Sequence, residues 1–259
     1  MPEPGATGGP GTLRRAASAA VEAVLDMIYP RTCAACGRHL GEPEYPHLCG
    51  ECLVKIRWID EACERCGLPL GPHAERHDGR WCPSCRTLTL GFRRCLAAAV
   101  YEEPVKGVVL GLKYGRRMHL RSTLGELIAR RLRRTLGDEE LPDCVVPVPL
   151  HRKRRRERGF DQAELLAEYV ASAAGLPLVG ALARVRYTGA QAALSRTARF
   201  ENLRGAFECS RPKAVAGRRV LLVDDVMTTG ATASAAARAL RDGGAAHVTA
   251  AVAARALRG

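Results

Sequence analysis

The sequence predicts an α/β protein in which a parallel sheet flanked by helices follows a small cysteine-rich domain. Two observations lead to this fold class. Eight of the eleven cysteines fall between Cys33 and Cys85, as four CxxC pairs. From about Cys95 onward, short apolar runs alternate with stretches of helical periodicity, which is typical of a sheet covered on both faces. The 259 residues are enough for one large domain or two modest ones.

The composition is that of a globular protein with a strong positive charge. Hydrophobic residues make up 47% of the chain and charged residues 26%, close to globular averages. The formal net charge of +13 favours phosphate-bearing partners. No apolar run reaches about 18 residues and no signal-peptide pattern occurs, so we expect a cytoplasmic protein without membrane insertion. Residues 1–29 predict a disordered Gly/Pro-rich leader and a short amphipathic helix.

The four CxxC pairs have the spacing of metal-binding knuckles. A CxxC turn brings two thiolates to one side of a tight turn, and two such turns complete a four-sulfur shell that suits structural zinc. The surrounding segment has too few large apolar side chains for a core, whereas structural zinc contributes about 10–16 kcal/mol per site to folding. We therefore expect about two zinc ions per chain. Their ligands would be Cys33, Cys36, Cys49, Cys52, Cys63, Cys66, Cys82 and Cys85.

The pairing of the knuckles is open at the level of sequence. We favour sequential pairing, the first CxxC with the second and the third with the fourth, but the spacing does not exclude crossed pairing. Nearby histidines are alternative ligands, although complete four-thiolate shells would leave them in solvated loops. These histidines are His39, His47, His73 and His77.

After the cysteine-rich segment, apolar periodicity predicts four strands and four helices. The strands are residues 95–101, 143–150, 220–226 and 247–255, and the helices are residues 105–112, 120–136, 163–175 and 231–244. Strands that alternate with helices form a parallel sheet, and ligands bind beyond the carboxyl ends of its strands.

Two acidic residues and a short polar loop stand at such a carboxyl end. Asp224 and Asp225 follow the apolar run 220–223, and Thr228 to Thr232 open the next helix. Gly230 permits close backbone approach, and the N–H groups at a helix start form an anion cradle. The loop has no lysine and is not a nucleotide P-loop. Two carboxylates beside a phosphate cradle suit a sugar phosphate with a vicinal diol.

Residues 220–232, VLLVDDVMTTGAT, resemble the phosphoribosyl-pyrophosphate (PRPP) motif of type I phosphoribosyltransferases. More widely, the chain resembles the ComF/GntX family, in which a double zinc ribbon precedes a phosphoribosyltransferase-like domain. The resemblance also covers residues 146–167 and 191–207, and Asp161 stands where the family usually has Asn. It implies a double zinc ribbon over residues 30–92 and a type I phosphoribosyltransferase-like domain over residues 93–259.

The resemblance also implies roles for individual residues. Asp224 and Asp225 would hold the ribose hydroxyls, with Mg²⁺ bridging the diol and the pyrophosphate. The 5-phosphate would be bound by Thr228, Thr229, Gly230, Ala231 and Thr232. The turn after the strand 143–150 would be the pyrophosphate loop. Arg199 would belong to a mobile hood over the site.

Two further groups of basic residues are expected near this pocket. In the cluster at 152–158 we expect Arg152 and Arg158 to face the site, because guanidinium groups match pyrophosphate oxygens, and the others to face solvent or a polyanion. Lys113 follows an apolar helix and can reach the same pocket. If the domain is an enzyme, we take Asp224, Asp225 and Arg152 as its catalytic residues.

Two functions remain open. The ComF resemblance implies a PRPP-binding protein that takes part in single-stranded DNA uptake and processing during natural transformation, together with a helicase partner. The alternative is a metabolic phosphoribosyltransferase with an unidentified acceptor. We favour the first, because Thr228 stands where purine salvage enzymes have an aspartate, and threonine is no base near neutral pH. Candidate residues for stacking on bases are Trp58, Trp81, Tyr114 and Phe160.

Overall fold

A computed structural model of the chain describes most of the zinc-binding and α/β segments. The described residues are 31–41, 45–70, 81–115, 117–137, 140–188 and 195–257. The leader and short helix expected over residues 1–29 lie outside these ranges. Within them, no helix is both long and apolar enough to cross a membrane.

A four-stranded parallel sheet forms the centre of the α/β part. The strands of the chain are β1 (Arg94–Val100), β2 (Cys144–Pro147), β3 (Leu182–Arg184), β4 (Phe207–Cys209), β5 (Arg219–Met227) and β6 (His247–Arg255). The sheet has the order β1-β6-β5-β2, and every neighbouring pair is parallel. The four strands expected from apolar runs are confirmed. Their carboxyl ends meet at one edge, where ligands bind in such sheets.

Helices cover both faces of this sheet. The helices are α1 (Gly50–Val54), α2 (Pro83–Thr87), α3 (Val105–Tyr114), α4 (Leu120–Thr135), α5 (Arg152–Arg158), α6 (Gln162–Ala174), α7 (Arg196–Asn202) and α8 (Ala231–Asp242). Apolar residues of α3, α4 and α6 form one core with Leu221 and Val223 of β5. Residues of α8 form a second core with Val220 and Leu222, which point to the opposite face. The alternation follows from the two-residue period of a strand.

Helix α5, the β3–β4 pair and helix α7 are among the elements that were not expected from the sequence. The cluster at 152–158 forms helix α5 rather than an extended turn, closed by Gly159 with φ of 83°. Its run of like charges hides any apolar period. The other two are the short antiparallel pair β3–β4 and helix α7, which lies between these strands in the chain. Strands of three residues are too short to show a period.

The cysteine-rich segment packs against both cores. Cys33 and Cys52 belong to the core on the α4 side, whereas Cys63 and Cys85 belong to the core on the α8 side. The segment between the two groups pairs with β1, where the Ile59 N–H donates to the carbonyl oxygen of Ala98 at 3.0 Å. The cysteine-rich segment is therefore part of the same folded body as the sheet.

Candidate functional site

The eight cysteines of the CxxC pairs form two separate four-sulfur clusters. One consists of Cys33, Cys36, Cys49 and Cys52, and the other of Cys63, Cys66, Cys82 and Cys85, with the Sγ atoms of each within 4.8 Å of one another. The Sγ–Sγ distance is 3.7 Å between Cys36 and Cys49 and 3.6 Å between Cys66 and Cys82. Sulfurs about 2.3 Å from a tetrahedral zinc ion stand about 3.8 Å apart. The clusters fit two structural zinc ions, with sequential pairing.

Backbone groups support the two clusters in the same way. The Cys49 N–H points at the Cys33 Sγ at 3.5 Å, and the Cys82 N–H points at the Cys63 Sγ at 3.2 Å. Such N–H groups stabilise a thiolate and orient it toward a metal. The histidines considered as ligands are not needed: His39 and His47 lie outside both clusters, and His73 and His77 lie outside the described residues.

A shallow cavity, open to solvent, lies at the carboxyl end of β5. Its walls include Asp224, Thr228 and the first residues of α8. Gly230 precedes α8 with φ of 83°, a left-handed conformation that favours glycine. Because the first N–H groups of a helix have no acceptor within the helix, Thr232 and Ala233 present theirs at this cavity.

The threonines of the loop divide between the cavity and the loop itself. Thr228 is exposed and Thr232 is half-buried, and both line the cavity. Thr229 is buried, and its Oγ1 accepts a hydrogen bond from the Ala231 N–H at 3.3 Å. Thr229 therefore stabilises the turn into α8, whereas Thr228 and Thr232 offer hydroxyls to a ligand.

The two aspartates of β5 point to opposite faces of the sheet. Asp224 lines the cavity, whereas Asp225 is 6% exposed and lies 2.7 Å from the Lys113 Nζ, measured from its Oδ2. The Asp225 Oδ1 also accepts a hydrogen bond from the Val226 N–H at 2.6 Å. Lys113 thus contacts the acidic pair by its ion pair with Asp225. In the described residues, Asp224 is the aspartate of the pair that faces the cavity.

Burial and a neighbouring like charge act on the Asp224 carboxyl. Burial, followed by the charge of Asp225, raises the pKa of Asp224 to about 8, although Lys113 opposes this shift. Burial alone would lower the pKa of Lys113, but the charge of Asp225 raises it overall. At neutral pH Lys113 is therefore charged, while Asp224 retains its proton. A cation or hydroxyl donors in the cavity would favour the Asp224 carboxylate.

Helix α5 presents its basic residues on two sides. Arg154 and Arg158 are half-buried, whereas Arg152 is exposed. Arg158 Nη1 donates to the Gln162 Oε1 at 2.8 Å. Gln162 is 3% exposed, and its Nε2 has no partner among the described residues. The sequence offered no signal for Gln162, because its burial is determined by the fold.

Asp161 fixes the turn between β2 and α6. Its Oδ2 accepts the Leu150 N–H at 2.7 Å, and its Oδ1 accepts the Ala163 N–H at 3.1 Å and the Glu164 N–H at 3.5 Å. It is therefore the N-cap of α6 and a brace for the preceding turn. A carboxylate uses both oxygens here as acceptors, which an Asn at this position could not do.

The β3–β4 pair brings a further arginine near the cavity. Arg184 of β3 interacts electrostatically with Asp224 and Arg154, and burial lowers its pKa. Its Nε is buried without a partner among the described residues. Nothing in the sequence marked this arginine. Arg199, which was expected at the site, lies half-buried on α7 and outside the residues that line the cavity.

Comparisons with family models agree with this architecture. The double zinc ribbon domain matches residues 24–90, and the phosphoribosyl transferase domain matches residues 160–259. Together with the two clusters and the parallel sheet, they define a zinc-ribbon protein with a phosphoribosyltransferase domain.

Several curated proteins are similar over most of the chain. DNA utilization protein YhgH of Salmonella typhi is 33% identical over 226 residues, which are 86% of this chain and 96% of that protein. Competence protein F of Haemophilus influenzae is 31% identical over 199 residues, 75% of this chain and 84% of that protein. Competence protein ComFC of Bacillus subtilis is 28% identical over 204 residues, 76% and 79% respectively. The chain belongs to the ComF family.

Proposed function

We propose that the chain binds PRPP in the cavity at the end of β5. The observation that carries this proposal is that the Asp224 carboxyl and the open N–H groups at the start of α8 face the same cavity. One end of the cavity therefore suits a phosphate, and the other suits hydroxyl groups that donate to a carboxylate.

In this proposal the 5-phosphate lies against the Thr232 and Ala233 N–H groups and accepts hydrogen bonds from the Thr228 and Thr232 hydroxyls. The ribose hydroxyls donate to Asp224. Asp225 takes part indirectly, because its ion pair with Lys113 holds the end of β5. This role differs from direct contact with ribose, which the resemblance implied for both aspartates.

The pyrophosphate would lie toward the turn after β2. This turn leads into α5, whose Arg152 and Arg158 remain candidate partners, together with Arg154 and Arg184. The cavity suits Mg²⁺ as well, because Asp224 offers a hard oxygen ligand beside the proposed sugar site. When bound, Mg²⁺ would neutralise charge on the pyrophosphate.

We further propose that the chain acts on single-stranded DNA in a role related to competence. The names of its relatives support this role, since they include DNA utilization and competence proteins. The net charge of +13 supports it independently, because phosphate chains bind basic surfaces through the release of counterions. A helicase partner belongs to the same proposal.

Calorimetric titration with PRPP and Mg²⁺ tests the ligand. The parent protein should bind about one PRPP per chain, and Asp224→Asn should weaken binding at least about tenfold, because the amide cannot take the carboxylate form that Mg²⁺ and the ribose hydroxyls favour. Asp242→Asn is the matched control, since Asp242 is an exposed residue at the far end of α8. Equal binding by all three proteins would show that the assignment is wrong. Release of pyrophosphate with a nucleobase or amine would instead support the transferase alternative.

A further inference from the structure

An exposed surface that combines cations with aromatic rings lies around α5. We call it the α5 surface, and it consists of Arg152, Lys153, Arg155, Arg156, Tyr114 and Tyr187. The four basic residues are all exposed. Tyr114 ends α3, and Tyr187 follows β3, so three separate elements contribute to the surface.

Most of the charge on this surface is not neutralised by the protein. Among the described residues, Arg155 forms an ion pair with Glu164 at 2.9 Å, while Arg152 and Arg156 have no acidic partner. These two arginines are also four residues apart on one helix, where like charges repel each other. An ordinary solvated face mixes both signs of charge. The excess of one sign here is suited to a polyanion outside the protein.

The two tyrosines lie near opposite ends of α5. Tyr114 is 69% exposed and stands 5.2 Å from the Arg158 guanidinium, at the last turn of the helix. Tyr187 is 42% exposed and stands 5.0 Å from the Lys153 Nζ, at the first turn. Both rings therefore keep accessible surface beside a cation. Trp58, another stacking candidate, also lies beside a cation, with the Arg130 guanidinium 4.4 Å from its ring, but it is half-buried and is not part of the α5 surface.

The cations beside the two rings are spaced along one helix. Lys153 and Arg158 are five residues apart, about 8 Å along a helix that rises about 1.5 Å per residue. Bases stack on aromatic rings while basic side chains follow the phosphates, which is the general pattern of single-strand recognition.

We infer that single-stranded nucleic acid binds across the α5 surface, with bases stacked on Tyr114 and Tyr187 and phosphates on the basic residues between them. This inference rests on the proposed action on single-stranded DNA and names the surface that performs it. Duplexes bind less well, because their paired bases are not free to stack on the tyrosines.

Fluorescence anisotropy with a labelled oligothymidylate and an abasic strand of equal length separates the two contributions. Tyr114→Leu combined with Tyr187→Leu should weaken oligothymidylate binding about tenfold or more and leave abasic binding unchanged. Lys153→Gln combined with Arg156→Gln should weaken both and reduce the log–log salt slope by about 1.4, since each phosphate contributes about 0.7. The control is Lys213→Gln with Arg241→Gln, an equal loss of exposed charge near the opposite end of β5 and α8.

The outcomes separate the surface from the function. If the parent protein binds no strand, the proposed action on DNA fails. If the parent binds but the tyrosine and basic variants bind equally well, the function stands and the α5 surface is wrong. The inference is also contradicted if the tyrosine variant loses equal affinity for the oligothymidylate and for the abasic strand. Duplex binding as tight as single-strand binding contradicts it as well. Zinc content and the urea unfolding midpoint of each variant should match the parent.

Discussion

The Arg255 Nε donates a hydrogen bond to the carbonyl oxygen of Cys66 at 3.0 Å. The Arg255 Nη1 donates to the Met227 carbonyl at 3.2 Å and to the Thr228 carbonyl, and the side chain is 5% exposed. Cys66 is part of the second four-sulfur cluster, and Thr228 lines the cavity. One buried cation therefore joins the zinc ribbon to the loop of the proposed PRPP site.

Replacing Arg255 should lower the stability of the protein and loosen the loop that contains Thr228. Arg255→Met keeps an unbranched stem but leaves buried carbonyls without donors, so we expect the free energy of unfolding to fall by about 2–4 kcal/mol. Urea unfolding measures this change. Arg238→Met is the control, because Arg238 is exposed and makes one hydrogen bond, to the Thr89 carbonyl. Equal effects of the two substitutions would contradict a linking role for Arg255.

The two clusters should differ in their influence on the cavity. Cys66→Ser and Cys36→Ser should each reduce the zinc content from about two ions to about one, measured by elemental analysis. PRPP affinity should fall only with Cys66→Ser, because the second cluster holds Arg255 and shares the core of α8. The first cluster packs on the other face of the sheet. Equal PRPP binding by both variants would show that the ribbon and the loop are independent.

The stability of the protein should depend on the carboxylate of Asp161. In Asp161→Asn the amide nitrogen would replace one of the two oxygens that accept backbone N–H groups. We expect the free energy of unfolding to fall by about 1–2 kcal/mol, a typical cost for a lost cap and an unsatisfied N–H. Urea unfolding is again the measurement. A variant as stable as the parent would mean that the turn before α6 rearranges without cost.

The protonation of Asp224 predicts how stability depends on pH. Its pKa rises from 3.8 to about 8 on folding, mainly through burial. Between these values the unfolded chain has lost the proton and the folded chain has kept it, so stability falls as pH rises and levels off above about 8.

Asp224→Asn removes this contribution. Relative to the parent, the variant should become progressively more stable from about pH 4 to about pH 8, as measured by urea unfolding at each pH. Asp242→Asn, an exposed substitution, should follow the parent throughout. A difference between parent and Asp224→Asn that does not change with pH would contradict the buried carboxyl.

The sequence predicted the parts of this fold that depend on local patterns. Buried parallel strands are continuous apolar runs, so β1, β2, β5 and β6 were recognisable, and the CxxC spacing identified all eight cysteines. Helix α5 was not recognisable, because its charges mask any apolar period.

The arrangement of the site depended on contacts between distant residues. Asp224 and Asp225 were expected together at the end of a strand, but β5 continues to Met227, and its pleat directs neighbouring side chains to opposite faces. Gln162 and Arg184 were not identified, because a buried polar group is marked by its tertiary neighbours rather than by its own position in the chain.

A crystal soaked with PRPP and Mg²⁺ tests the central claim most directly. The account predicts density for the 5-phosphate at the Thr232 and Ala233 N–H groups and for the ribose hydroxyls within hydrogen-bond distance of Asp224. An empty cavity in crystals that bind PRPP elsewhere, or a sugar held without Asp224, would contradict it.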